Sequence, residues 1–324
     1  MGNLLCDHAP QLAKKAWQQA ASIKDSPGVN RNLAFILAHI DDVPTQAVEK
    51  LDHALQLGSV NPLYLLERDI YAAYSGQSPE NRLSFFEKYK SISAAWDKTE
   101  LRRAELLNLT GNFDEAIKIL RSQHFYIAEI TTLNPHIVWS NAYLSRGINF
   151  LKNNEPDKAI ADFNEVMNFP RNLEIARDSR IALANYWLGK AYQKKGEVRK
   201  AREFFTLMAE KSDAASGWGA QGTALLPFYQ AQAFEELGNK AKAEEIYKKM
   251  VIQGEELLSA KYHEASNDRS VNIRQARNSD KAEGYFYMGL GLKGSGNSSE
   301  ASDNFKKVLE TAPDFFDLNL IEGF

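Results

Sequence analysis

The chain has 324 residues, more than a single hydrophobic core usually serves, so it is read as two domains or as an elongated array that grows by stacking. Hydrophobic residues at 44% and charged residues at 25% exclude wholesale disorder, and ten prolines with 19 glycines are too few for a loop-rich all-β protein of this size. A formal net charge of −3 and a pI near 6.1 argue against a dedicated nucleic-acid binder.

The chain opens with Met1-Gly2-Asn3-Leu4-Leu5-Cys6, which lacks the apolar stretch of a secretory signal and the Ser or Thr that a myristoylation signal carries at its sixth position. Cys6 is the one cysteine, so neither an intramolecular disulfide nor a cysteine-based zinc site can form. No run reaches the 18 or so apolar residues of a membrane span. A cytoplasmic location, without membrane attachment, is the expectation.

The first predicted helix, over about 9–24, is marked by Leu12, Ala16, Trp17 and Ala20. Two helix pairs follow. Residues 30–58 carry Phe35, Ala47, Leu51, Ala54 and Leu55 around an Asp41-Asp42-Val43-Pro44 turn. Residues 62–90 carry Tyr71, Tyr74, Leu83 and Phe86 around Gly76-Gln77-Ser78-Pro79.

Five stronger pairs repeat one pattern at 95–123, 136–169, 178–211, 221–254 and 281–314. A small residue is followed three places on by an aromatic residue or Leu, then by a polar turn. Alanine comes twelve places after the small residue, and a large apolar residue four after that. Gly147, Phe150, Ala159 and Phe163 fit it, as do Gly189, Tyr192, Ala201 and Phe205. Ala231, Phe234, Ala243 and Tyr247 fit it too, and so do Gly289, Leu292, Ala301 and Phe305. Ala104, Leu107, Ala116 and Leu120 form the earliest copy. Apolar positions at i, i+3, i+4 and i+7 make each half an amphipathic helix. Glycine inside a helix costs roughly 1 kcal/mol against alanine, so Gly147, Gly189 and Gly289 must be offset by close crossing, here expected against Ala159, Ala201 and Ala301.

This pattern resembles the tetratricopeptide repeat, a helix–turn–helix unit of about 34 residues. The resemblance implies an all-α solenoid of about seven such repeats over 28–314, with helix 1–27 packed on the array and a tail at 315–324. The period departs from the family: Ala159, Ala201 and Ala243 are 42 residues apart and Ala301 follows Ala243 by 58. Insertions are therefore expected at 121–137 and 255–280, the second starting with a helical Glu255-Glu256-Leu257-Leu258.

A narrower likeness rests on Arg102-Arg103-Ala104-Glu105-Leu106-Leu107, His124-Phe125 and Phe169-Pro170-Arg171-Asn172-Leu173. It is similar to the C-terminal helical region of uncharacterised bacterial proteins whose repeats follow a β-rich domain of unknown function. That family shows His-Phe-His-x-Trp-Glu-Gly-Gly in the loop; here Tyr126, Ala128 and Ile130 stand at the second His, the Trp and the first Gly, and Glu129 is retained. The likeness implies an alternative role, as the helical module of a larger carbohydrate-related protein or enzyme whose chemistry lies in another domain, with that β-rich domain as a partner within the same polypeptide.

Catalytic signatures are missing. Gly217-x-Gly219-x-x-Gly222 and Gly289-x-Gly291-x-x-Gly294 spell a dinucleotide fingerprint, but neither follows a predicted strand, which the motif needs. His8, His39, His53, His124, His136 and His263 form no short metal spacing. His39 beside Asp41 and Asp42 reads as a helix end with solvated acids. His124 near Glu129 is the best acid–base candidate, and a packed loop histidine is the reading adopted. The basic stretch at Lys190, Lys194, Lys195, Arg199, Lys200 and Arg202 contains Glu197 and reads as a solvated helix face.

No enzyme activity, cofactor, metal or nucleic-acid partner is therefore expected. The first helices of such pairs line a concave face, where solenoids bind. Positions six and three before the small residue, and one and four after it, share one helical face. They select Asn141; Tyr186, Lys190 and Gln193; Phe228, Gln232 and Glu235; and Phe286 and Lys293. Leu and Ile at the same positions, such as Leu144 and Ile148, read as packing surface. The mixture suits a peptide or partner protein. The Lys, Asn and Arg set with which some tetratricopeptide proteins hold a C-terminal carboxylate is missing in this register. Self-association through an apolar end at Phe315-Phe316 is a further expectation.

Overall fold

The computed structural model describes residues 2–6, 8–126, 133–173, 180–210, 224–259 and 273–321. It is all-α: helices pack pairwise as tetratricopeptide-like repeats, and there is no strand among the described residues. The chain divides into two compact units, Met1–Leu106 with Lys261–Asn278, and Leu107–Ala260 with Ser279–Phe324.

In the first unit, α1 (Gly2–Leu5) and α2 (Pro10–Ile23) precede α3 (Pro27–His39) and α4 (Pro44–Gln56), which pack as a pair; α5 (Pro62–Tyr74), α6 (Pro79–Lys88), α7 (Lys90–Ser93) and most of α8 (Asp97–Leu109) complete it. Among the described residues, seven helices start with a proline at the first or second position, beginning with Pro10, Pro27, Pro44, Pro62 and Pro79 and continuing with Pro135 and Pro156. Proline's fixed φ suits the first turn, and its missing N–H is lost there at no cost. The prolines that were too few for an all-β chain thus mark where helices begin.

Ala34, Leu37, Ala38, Ala47, Val48, Leu51, Tyr71 and Ala72 form the core between α3, α4 and α5. Ala13 and Trp17 anchor α2 against Leu33 and Ile36. Leu12, expected on the buried face of α2, is 55% exposed instead. The buried stripe runs through Ala13 and Trp17, four apart on one face, and Leu12 lies one position off it.

In the second unit, α9 (Phe113–Ser122) packs on α10 (Pro135–Lys152), which pairs with α11 (Pro156–Met167). Then come α12 (Arg180–Lys194) with α13 (Val198–Ala209), α14 (Leu225–Glu236) with α15 (Lys240–Ser259), and α16 (Ile273–Gly294) followed by α17 (Ser298–Thr311). The successive contacts of α11 with α12, and of α13 with α14, stack one pair on the next, while α10 touches α12 and α12 touches α14 along one side. Residues 255–259 prolong α15 and 273–280 belong to α16, while 127–132 and 260–272 of the two expected insertions lie outside the described residues.

The mid-helix glycines are buried, as close crossing requires, but their partner is not the expected alanine. A methyl group at Gly189 would lie 2.5 Å from Cε1 of the Phe205 ring, and Gly147 and Gly289 face Phe163 and Phe305 in the same way. The reason is directional. A helical side chain leans toward the N-terminus and covers the turn before its own Cα. Each phenylalanine therefore reaches back over the turn that holds Ala159, Ala201 or Ala301, and the glycine makes room for the ring.

Candidate functional site

The side shared by α10, α12, α14 and α16 carries the candidate site. Among the expected residues, Asn141, Tyr186, Phe228 and Phe286 are buried, Lys190, Gln232, Glu235 and Lys293 are half-buried, and Gln193 is exposed.

Several of them are joined. Tyr186 donates its hydroxyl to Gln232 Oε1 at 3.3 Å. Gln232 Nε2 donates to the Tyr247 hydroxyl at 2.7 Å, and Tyr247 donates to Glu235 Oε2 at 3.1 Å. Burial pushes the Tyr247 phenol above its ordinary range, despite the Gln232 hydrogen bond, so it stays a neutral donor at physiological pH. Lys190 Nζ meets Glu236 Oε1 at 3.0 Å and Gln193 Nε2 donates to Glu236 Oε2 at 2.8 Å. Rings of Tyr186 and Tyr229 lie 4.6 Å apart, and those of Phe228 and Tyr229 5.2 Å apart.

At the C-terminal ends of α10 and α12 the face opens into a hollow of about 290 Å³ lined by Ile148, Leu151, Lys152, Trp187, Lys190, Gln193 and Lys194. Three lysine side chains make it basic. Lys194 Nζ caps α10 by donating to the Leu151 carbonyl at 2.7 Å, a placement that suits a helix C-terminus. Trp187 is 2% exposed, and its indole N–H has no hydrogen-bond partner.

The other half of the face is covered by the chain itself. The segment expected as a tail forms a short 3₁₀ turn, Phe316–Leu320, packed against α10. Arg180 is the fastening: its Nε donates to Asn141 Oδ1 at 2.9 Å, and its Nη2 meets Asp317 Oδ1 at 2.5 Å. Tyr229 donates its hydroxyl to the Leu320 carbonyl. The Phe315 ring meets Phe286 edge-on at 4.8 Å, and Phe316, Leu318, Leu320 and Ile321 are buried. Phe315 and Phe316 are therefore turned into this face rather than forming the exposed apolar end expected to drive self-association.

Arg180, Tyr229, Trp187, Glu236 and Asp317 escaped the sequence reading. Arg180 lies nine positions before Gly189 and Tyr229 two before Ala231, outside the four positions used. The alternating apolar run Phe316-Asp317-Leu318-Asn319-Leu320 was the available signal for the turn.

The remaining candidates separate. His39 lies among aromatic rings, 4.6 Å from Phe35 and 5.5 Å from Tyr71. Burial, helped by the Arg31 charge, holds its imidazole below the usual histidine range, so it is neutral. Asp41 pairs with Lys14 at 2.5 Å. No group of His, Cys, Asp and Glu suited to a metal ion occurs among the described residues. Gly289, Gly291 and Gly294 serve helix crossing: Gly289 faces Phe305, and the other two face Tyr247 on α15. Gly217–Gly222, and Glu129 beside His124, lie outside the described residues. In the basic stretch, Lys195 pairs with Asp157 at 2.7 Å and Lys200 with Glu197 at 2.7 Å, the solvated ion pairs of a surface face. No helix among the described residues is long and apolar enough to cross a membrane.

Two stretches of the chain match models of the tetratricopeptide repeat, residues 182–207 and 227–253. Among solved structures, a tetratricopeptide repeat protein from Parabacteroides merdae aligns at 16% identity and a TM-score of 0.44, over 88% of this chain and 96% of that one. The human IFIT1 dimer with PPP-AAAA aligns at 18% identity and a TM-score of 0.39, over 93% of this chain and 68% of that one. The matched stretches are the α12–α13 and α14–α15 pairs, so the centre of the second unit is built of tetratricopeptide repeats.

Proposed function

We propose that the repeat array of the second unit is a non-catalytic scaffold that binds a peptide or partner protein through the face formed by α10, α12, α14 and α16. One observation carries this reading: that face already takes up a short peptide turn, the chain's own Phe316–Leu320, through an ion pair, a main-chain hydrogen bond and apolar side chains. A surface that provides all three has the chemistry for which extended helical-repeat faces are used. The hollow at the C-terminal ends of α10 and α12 supplies further open surface, lined in part by Lys190 and Gln193.

The test is capture from a native lysate by the full chain. A partner retained by the wild type and by the outer-face variant Lys248→Ala, yet lost by Lys190→Glu with Gln193→Ala, supports the scaffold. Equal capture by the inner-face and outer-face variants, or turnover of a substrate by the isolated chain, overturns it.

A second reading has one observation in its favour. Two of the three stretches that carry the narrower bacterial likeness meet in space: the Phe125 N–H donates to the Asn172 carbonyl at 2.8 Å, and Asn172 Nδ2 donates to the Leu120 and Gln123 carbonyls, both at 2.7 Å. In this reading the partner is a β-rich domain of the same polypeptide, as the likeness implies.

A further inference from the structure

The turn that covers the inner face is attached in an unusual way for a structural cap. A cap extends the last helix and seals its end. Here the chain leaves α17 at Thr311, and Asp317 reaches Arg180, 137 positions back in sequence, while Leu320 reaches Tyr229, 91 back. The turn itself is five residues long, too short to form a helix pair of its own.

Its anchors are those of a bound peptide. One buried carboxylate meets a guanidinium that Asn141 holds in place, one carbonyl accepts from Tyr229, and Phe315 lies against Phe286. A second carboxyl lies near the turn. Glu283 on α16 carries a carboxyl raised above its ordinary range by burial, and then by the like charges of Asp280 and Asp317. The ion pair, the main-chain hydrogen bond and the ring contact are each of a kind that an external peptide can supply.

We propose that the 315–321 segment is an intramolecular occupant of the binding face, standing where an external acidic peptide with flanking aromatic and aliphatic side chains docks, so that docking requires the segment to leave. This inference rests on the reading of the face as a peptide-binding surface. It names the partner's chemistry: a carboxylate for Arg180, an aromatic ring for Phe286, and a main-chain carbonyl for Tyr229. When the binding-competent state is only fractionally populated, apparent affinity falls by that fraction, so the segment sets the affinity of the face for its partner.

The probe is a labelled synthetic peptide with the sequence of residues 312–321, added to the full chain and followed by fluorescence anisotropy. Asp317→Ala in the protein weakens the internal segment and leaves Arg180 for the added peptide, and its affinity should exceed that of the wild type by about tenfold. A peptide with alanine in place of its first-turn aspartate, the counterpart of Asp317, should lose the gain. Equal binding of the peptide by the wild type and Asp317→Ala, or equal binding of the two peptides by Asp317→Ala, overturns the proposal. A measurement on the wild type guards against a variant that does not fold: amide exchange over 315–321 should quicken when excess peptide is added, and unchanged exchange at saturating peptide overturns it. Because the probe is supplied in trans, these outcomes report on the segment alone. Failure of lysate capture to depend on Lys190 and Gln193 would count against the scaffold reading and leave peptide displacement intact.

Discussion

Three glycines and three phenylalanines, sixteen residues apart in each case, set how closely the helices of a pair approach. Gly147 with Phe163, Gly189 with Phe205 and Gly289 with Phe305 are complementary in size, and Ala231 with Tyr247 keeps the same spacing. Replacing Gly189 by alanine sets two effects against each other. Helix propensity gains about 1 kcal/mol, while forcing a methyl group into a packed core costs about 1–3 kcal/mol. The new Cβ meets the ring of a phenylalanine that is 3% exposed, so the ring has little room to move and overpacking wins. Gly189→Ala should lower stability by up to about 2 kcal/mol in urea unfolding, and Phe205→Leu added to it should recover part of that loss. Additive losses in the double variant would show that the two residues do not share this space.

The turns of α8–α9, α10–α11, α12–α13, α14–α15 and α16–α17 are of one kind. The N–H of the residue after the left-handed position reaches the carbonyl five back: Asn112 to Leu107, Glu155 to Phe150, Glu197 to Tyr192, Asn239 to Phe234 and Asn297 to Leu292. This is the Schellman arrangement. Glycine takes the left-handed position at Gly111, Gly196, Gly238 and Gly296, with φ from +77° to +88°, and Asn154 takes it in the α10–α11 turn at φ +62°. Asparagine tolerates that region less well than glycine does. Asn154→Gly should therefore stabilise the second unit by a few tenths of a kcal/mol up to about 1, and Gly196→Ala should destabilise it by about 1. Thermal unfolding of the two variants against the wild type reads both signs.

Across the whole chain, a net charge of −3 conceals strongly paired carboxylates. Asp69 is the most buried of them, with Arg82 at 2.9 Å and Arg102 at 2.5 Å, and it ties α5, α6 and α8 together. Burial alone would raise its carboxyl; the charge of Arg102, with the hydrogen bonds and charge of Arg82, more than reverses this and holds it below the ordinary carboxylate value of 3.8. The unfolded chain binds this proton more readily than the folded one. The pair's contribution is thus present above that ordinary value and is lost as the pH falls below it. Asp69→Asn removes the buried carboxylate that Arg82 and Arg102 share, although Arg102 keeps its pair with Glu105, and should cost about 3–5 kcal/mol at neutral pH, read as faster amide exchange in α5 and α6. The gap from the wild type should narrow in acid, and a gap that stays constant from pH 7 to pH 3 would rule out this source of acid sensitivity.

The sequence by itself determined the elements of this protein: where helices start, because proline fixes φ at the first turn, and where pairs reverse, because glycine alone enters the left-handed region without strain. It also marked the small residues at which helices cross, because a mid-helix glycine needs compensation. Only the tertiary structure decided what those residues face. Phe163, Phe205 and Phe305 rather than the alanines fill the space, since a side chain's lean along its helix is not written in its spacing. The same holds for the candidate site. Tyr186, Lys190, Gln193 and Gln232 could be placed on one face by helical periodicity, but Asp317 and Arg180 are 137 positions apart, and periodicity carries no information across such a span. Their meeting, and with it the covering of the face by residues 315–321, depends on how successive pairs stack.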